Sequence, residues 1–212
     1  VGAVTAKLVM LCVGLAAFAF MHSGLAALRV RGWGEGLLGS AQRYRLVYTV
    51  LAVLVLGGLF LATRGEYPIV WRAEGVARVG LLLLQGIGAV GFVLTVRSFK
   101  LGEFLGLRAP GATSTGGRFR TDGLYGLCRH PLYFFTSLFF SAWPTMDLRA
   151  LVIAVWLWVY AFVGSIFEER KLVAELGEVY VAYRRRTPRI LPLGRWGGGS
   201  LRTPKNDSAE SF

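Results

Sequence analysis

Residues 46–63 read LVYTVLAVLVLGGLFLAT, an unbroken run without Asp, Glu, Lys or Arg. As helix at 1.5 Å per residue the run is about 27 Å long, close to the thickness of a bilayer's hydrocarbon core. It has counterparts, since residues 8–28, 79–96, 131–146 and 150–167 are equally free of charge. The pattern predicts an all-α, polytopic membrane protein with five transmembrane helices, the fourth of them short. The first run is long, carries His22 near its end and has no small-residue cleavage signature, so it reads as a retained helix rather than a signal peptide.

Composition agrees. The chain is 54% hydrophobic and 17% charged, with a mean hydropathy of +0.53, whereas about a quarter of an ordinary soluble domain is charged. Lys and Arg number 24 against 12 Asp and Glu, a formal charge of +12. The basic residues flank the apolar runs instead of forming one patch. With the 97–129 connection and everything after residue 167 in the cytoplasm, only Lys7, Arg64, Arg72, Arg78 and Arg149 stay outside, which satisfies the positive-inside rule. The charge therefore predicts topology and no nucleic-acid partner. It describes a protein integral to the cell (inner) membrane and surrounded by membrane lipids, with its N-terminus outside and its C-terminus in the cytoplasm. Cys12 and Cys128 make neither a disulfide framework nor a metal-ligand pattern.

Beyond the fifth run, Leu172, Leu176, Val179, Tyr180 and Tyr183 share one helical face, while Glu175, Glu178, Arg184 and Arg185 lie largely off it. This predicts a cytosolic amphipathic helix that Pro188 ends. Residues 1–192 then form a single membrane domain, and residues 193–212, rich in Gly, Ser and polar side chains, a flexible cytosolic tail.

Candidate chemistry lies in two polar clusters. One precedes the fourth run: Thr121, Asp122, Gly123, Tyr125, Arg129, His130, Pro131 and Tyr133. Proline suits the first turn of a helix, which places Arg129 and His130 at a helix N-terminus that favours anions. The other cluster, Glu168, Glu169, Arg170 and Lys171, ends the fifth run. Runs four and five form an antiparallel hairpin about Asp147, so the clusters meet at one membrane surface. Such a site complements a ligand carrying both a carboxylate and an ammonium group, as amino-acid-like ligands do. Successive helical residues point about 100° apart, so one of the two glutamates at most faces a given pocket. Taken singly, these residues also fit plainer roles: Arg129 and Lys171 as membrane-boundary markers, the glutamates as partners of Arg170 or solvent. His22, an ionisable residue inside an apolar run, is either functional or a hydrogen-bonding link between helices. Two histidines in unrelated settings do not make a pair of haem ligands, and Cys128 is either an apolar filler or a reactive thiol beside Arg129.

The segments Gly123-Leu124-Tyr125, Arg129-His130-Pro131-Leu132-Tyr133 and Phe167-Glu168-Glu169-Arg170, followed by Gly177, Tyr180, Tyr183, Pro188 and Pro192, resemble the isoprenylcysteine carboxyl methyltransferase superfamily of integral-membrane enzymes. Phe20-Met21-His22-Ser23, Pro68 and Trp71, Phe104 to Arg108, Phe119-Arg120-Thr121 and Trp143-Pro144-Thr145-Met146 are similar to its methanethiol S-methyltransferase branch. The first run and its Arg-rich exit are also similar to NnrU-like proteins. The resemblance implies S-adenosylmethionine as cofactor, cradled by Tyr125, Arg129, His130, Pro131 and Tyr133. It further implies that Glu168 and Glu169 bind the cofactor's amino group and that Tyr180 and Tyr183 belong to the covering segment. A small or lipophilic methyl acceptor is implied as the other partner. Met21 stands where the branch has Gln, and the 109–118 segment is shorter than in that branch.

Within this resemblance the expected reaction is S-methylation of a small thiol such as methanethiol. A thiol with a pKa near 8.5 is mostly protonated at neutral pH and profits from a nearby acceptor; His22 is the candidate, with Glu169 behind it. The alternatives are O-methylation of an isoprenylcysteine carboxylate, for which Arg184 or Arg189 supplies the cation, N-methylation of a phospholipid amine, and a non-enzymatic NnrU-like accessory role. His22, Glu169 and Arg184 are thus the candidate catalytic residues.

Overall fold

The computed structural model describes residues 2–26, 28–98, 107 and 120–193. The chain is mostly helical. It runs α1 (Gly2–Ala26), α2 (Leu28–Leu38), α3 (Ala41–Ala62), β1 (Ile69–Arg72), α4 (Gly75–Arg97), α5 (Leu124–Leu127), α6 (Pro131–Ser141), β2 (Thr145–Asp147), α7 (Leu148–Leu176) and α8 (Glu178–Arg186). Phe104 to Gly106, Arg108 to Phe119 and the tail from residue 194 onward lie outside the described residues.

Four helices, α1, α3, α4 and α7, are long and apolar enough to cross a membrane. The α3 helix buries none of its residues, and Val53 and Leu54 are about two-thirds exposed, as suits a surface meeting lipid tails instead of water. The fourth charge-free run behaves differently from the other four. Only 11 of its residues are helical, about 16 Å or half the bilayer core. Pro144 accounts for the early stop, because a residue before proline is pushed out of the helical region. The chain continues through Trp143 and Pro144 into β2.

The two strands correct the expectation of a chain with helices alone. β1 and β2 pair antiparallel, with Ile69 opposite Asp147 and Arg72 opposite Thr145, and an irregularity between Ile69 and Trp71. Backbone bonds from Ala73 N–H to the Pro144 carbonyl (2.8 Å) and from Leu148 N–H to the Pro68 carbonyl (2.9 Å) extend the pairing. Strands of three and four residues carry too little alternation to be read from sequence. At the strand exit, Asp147 caps α7 by accepting the Ala150 N–H at 2.7 Å.

Helix α6 lies between α4 and α7. A Cβ at Gly88 would stand 2.8 Å from the Phe139 backbone nitrogen, and one at Gly91 would overlap the Phe135 ring, so both glycines permit close approach. Trp158 donates to the Ser141 hydroxyl at 2.9 Å and Tyr133 meets Tyr160 edge to face, which makes α6 and α7 antiparallel. At one end of the molecule Lys7 donates to the Arg64 carbonyl and Arg149 to the Phe60 carbonyl. At the other end Tyr44 donates to the Leu25 carbonyl, and the polar clusters gather there. The helical face expected over residues 172–183 is split: α7 stops at Leu176 and Gly177, at φ +57°, turns the chain into α8. Tyr180 and Tyr183 are buried, whereas Val179 is half-exposed.

Candidate functional site

Arg129 and His130 sit where α6 begins. Their backbone N–H groups donate to the carbonyls of Pro188 (2.9 Å) and Arg189 (3.0 Å), so the segment after α8 is tied to the start of α6. The Arg129 guanidinium lies 2.7–2.8 Å from Glu169 Oε1 through Nη2 and Nε, and its Nη1 donates to the carbonyls of Arg184 and Thr187. Glu169 is buried, its side chain 3% exposed. Its Oε2 faces Arg189 at 3.4 Å and Arg184 at 3.7 Å. The cluster therefore holds three guanidinium groups around one carboxylate and keeps positive charge at its rim, where Arg184 and Arg189 are partly exposed.

His130 joins the cluster to the neighbouring glutamate. Its Nε2 is 3.3 Å from Glu169 and its Nδ1 3.4 Å from Glu168. Burial by itself would lower the pKa of this imidazole, but the two carboxylates outweigh burial and raise it. An imidazole with a carboxylate at each nitrogen satisfies both by carrying both protons. Tyr133 stacks on the ring, with centroids 5.6 Å apart. On the same side Tyr183 donates to the Tyr125 carbonyl at 2.6 Å, Tyr180 packs against Tyr183, and Pro131 is buried in the first turn of α6. Burial pushes the Cys128 thiol up to about 12, which keeps it a protonated filler and not a reactive thiolate.

Glu168 points elsewhere. Its side chain is 50% exposed and borders an open cavity of about 640 Å³ lined by α1, α2, α3 and α7. Arg31, Arg45 and Lys171 stand at the polar end, and Ala52, Val53 and Leu56 line the apolar end. His22 lies between the two ends. Phe18 stacks on its ring at 5.4 Å and Tyr48 tilts against it at 4.8 Å. The Tyr48 hydroxyl is 2.6 Å from Nε2 and 2.8 Å from Nδ1.

The structure thus brings Arg129, His130, Glu168, Glu169 and Arg184 to one surface, with Tyr125, Tyr133, Tyr180 and Tyr183 around them. It does not bring Glu169 to His22: the glutamate bordering the cavity is Glu168. Sequence reasoning missed Tyr48 and Tyr44. The available signal was two tyrosines at i and i+4 entering an apolar run, each with a hydroxyl that needs a partner once buried.

Similarity to characterised proteins points the same way. The chain is 34% identical over 183 residues to methanethiol S-methyltransferase 2 of Bradyrhizobium diazoefficiens, covering 82% of this chain and 69% of that one. It belongs to the methanethiol S-methyltransferase family. The Mycobacterium tuberculosis and Crocosphaera subtropica proteins named methanethiol S-methyltransferase are 31% and 30% identical, with 84% of this chain covered in each case and 75% and 72% of theirs. No family model matches the chain, and no solved structure matches it. As a member of the methanethiol S-methyltransferase family it is a membrane methyltransferase.

Proposed function

We propose that the protein S-methylates a small thiol such as methanethiol, with S-adenosylmethionine as donor, at the cytoplasmic face of the cell membrane. The observation that carries this reading is Glu168. Its half-exposed carboxylate touches His130 on one side and borders the cavity containing His22 on the other, so it links the cationic cluster to a chamber large enough for a ligand and a small acceptor.

The donor set fits the cofactor. Glu168 offers a carboxylate to an ammonium group, and Arg184 and Arg189, partly exposed and sharing Glu169 between them, offer guanidinium groups to a carboxylate. Tyr44 and Tyr48 line the cavity wall, and aromatic rings attract cations. When bound, S-adenosylmethionine supplies an electrophilic methyl group carried on a sulfonium. The chain's own tasks are to orient the acceptor, exclude water and take up a proton. A thiol near pKa 8.5 gives up that proton more readily to a held imidazole, and the ring nitrogen of His22 is the acceptor. Phe18, Ala52, Val53 and Leu56 line an apolar end in which little water competes for the acceptor sulfur. Glu169 holds Arg129 and the covering segment in place instead of meeting the acceptor.

In the membrane, α1, α3, α4 and α7 are joined by a fifth crossing over residues 131–147, part helix and part extended chain. Arg31, Arg43, Arg45, Lys171 and Arg184 to Arg186 then face the cytoplasm, while Lys7, Arg64, Arg72 and Arg149 face outward. Residues 1–192 act as one domain, and 193–212 follow as a cytoplasmic tail.

Purified protein with methyl-labelled S-adenosylmethionine tests the reaction. Label is expected in dimethyl sulfide when methanethiol is supplied. Label in a farnesylcysteine analogue or in phosphatidylethanolamine instead would replace the acceptor, and no transfer to any of the three would favour a non-enzymatic role. For orientation, a Glu74→Cys variant is expected to react with an impermeant maleimide on intact cells, and Ser98→Cys only after permeabilisation.

A further inference from the structure

We infer that α2 is an interfacial helix, seated by Val30, Trp33 and Leu37 among the headgroups and upper acyl chains of the leaflet where α1 ends and α3 begins. The proposed orientation makes that leaflet the cytoplasmic one, but the inference depends neither on the side nor on the reaction.

The chain turns as it leaves α1. The Tyr44 hydroxyl donates to the Leu25 carbonyl at 2.7 Å, and a Cβ at Gly34 would overlap the ring of the same tyrosine. One phenol ring thus touches both the end of α1 and the middle of α2, whereas a straight continuation of α1 would carry Gly34 about 13 Å beyond Leu25 along the axis. Helix α2 therefore lies across the ends of α1 and α3. At its far end Gly39, at φ +73°, reverses the chain, and Ser40 starts α3 by accepting the Arg43 N–H at 3.2 Å.

Helical spacing puts Val30, Trp33 and Leu37 within about 60° of one another around the α2 axis. All three are exposed, Trp33 and Leu37 to 72% and 71%, so the described residues leave this stripe uncovered. Arg31 turns away from it, pairing with Glu35 at 2.6 Å and lining the cavity. A helix of 11 residues with glycines at 32, 34 and 36 is too short and too glycine-rich to hold by itself, so it needs a surface to lie against. Lipid is the occupant that its surroundings favour. Phe20 on α1 and Val47 on α3, both near this end of the spans, are exposed as well, and the apolar surface of the spans thus runs up toward α2. Residues 28–45 contain four arginines and one glutamate, a balance that an anionic headgroup layer attracts. Trp and Leu on one flank with Arg on another is the pattern of helices that lie in the membrane plane.

Nitroxide labels on the full chain in phosphatidylcholine–phosphatidylglycerol nanodiscs test the inference, in a Cys12→Ala background, since Cys128 is buried. Leu37→Cys carries the label on the stripe. Gly32→Cys carries it about 130° away from the middle of the stripe, where a Cβ meets nothing within 4 Å. Collisions with oxygen, which concentrates in lipid, and with a water-soluble nickel complex give the depth of each label. The Leu37→Cys label is expected about 5–10 Å below the phosphates, and the Gly32→Cys label in water. Equal nickel access at the two positions would overturn the inference by leaving the stripe in water. A Leu37→Cys label shielded from both reagents would overturn it in favour of a protein partner, whether a second copy or another chain. Should the cysteine variants fold poorly, native Trp33 gives a second reading with the stripe intact. The emission that the parent has in excess of Trp33→Phe is expected to be lost to phosphatidylcholine brominated on its upper acyl chains and retained in aqueous acrylamide. Loss to acrylamide alone would place Trp33 in water and overturn the seating of α2.

Discussion

On one side of α7, Glu169 sits 3% exposed among Arg129, His130, Arg184 and Arg189; on the other, Glu168 is half-exposed and borders the cavity that holds His22 and Tyr48. The two residues are chemically identical neighbours, separated by about 100° around the helix. Burial and the number of cations facing each carboxylate give them different work. A carboxylate enclosed by guanidinium groups stabilises the chain segments carrying those groups. One left half-open keeps charge available to a ligand.

The largest expected effect breaks the enclosed side. Glu169→Ala leaves Arg129, 8% exposed, without its counter-charge, and removal of one partner from a buried ion pair lowers stability by about 3–5 kcal/mol. Unfolding followed in detergent should show that loss. A variant with normal stability and no cofactor binding would instead make Glu169 a ligand-binding carboxylate. Next comes the open side: His22→Ala is expected to lower turnover by about 10²-fold with cofactor affinity nearly unchanged. The deficit should shrink as pH rises toward the thiol pKa, since a thiolate needs no acceptor. A pH-independent defect in the rate profile would make His22 a packing residue.

Glu168→Ala sharpens the contrast with a smaller change. Calorimetry should find cofactor binding weakened about 10-fold, in keeping with the loss of one charged hydrogen bond at a half-exposed site, while the unfolding midpoint stays close to the parent's. Equal losses of stability in the two glutamate variants would erase the distinction between the sides of α7. The smallest effect concerns His130, which touches both carboxylates. Its pKa in the folded protein is raised above 6.5, burial opposing and the two carboxylates prevailing. Its contribution to stability is therefore fully present below pH 6.5 and is lost as pH rises through the raised value. The parent's stability should fall over that interval relative to His130→Asn, as read from unfolding midpoints across pH. A parallel pH dependence in the two proteins would show that His130 is neutral in the fold.

Much of this arrangement was legible in the sequence because it depends on local chemistry. Runs without charge specify apolar helices, and Pro131 specifies a helix start. The hairpin about Asp147 brings Arg129 and Glu169 together, since the charge-free runs 131–146 and 150–167 are of similar length and antiparallel neighbours bring the first residues of one to the last of the other. The short fourth helix was visible as a short run, but its stop at Ser141 depended on Pro144 and on strand pairing with residues 69–72, far earlier in the chain. Pairing across that separation leaves no periodic trace in three- and four-residue segments. The break at Gly177 was similarly open, because glycine permits a left-handed turn without requiring one.

By itself the sequence determined that the chain has apolar helices of membrane-spanning length, that its charges favour one orientation, and that at most one of two adjacent glutamates faces a pocket. These follow from hydropathy, charge placement and helical geometry, none of which needs a neighbour. Only the tertiary structure decided that the pocket glutamate is Glu168, that Glu169 is spent on Arg129, His130, Arg184 and Arg189, and that the partner of His22 is Tyr48. The rotation of α7 about its axis and the crossing of α1 and α3 set those pairings, and both are fixed by packing between side chains distant in sequence.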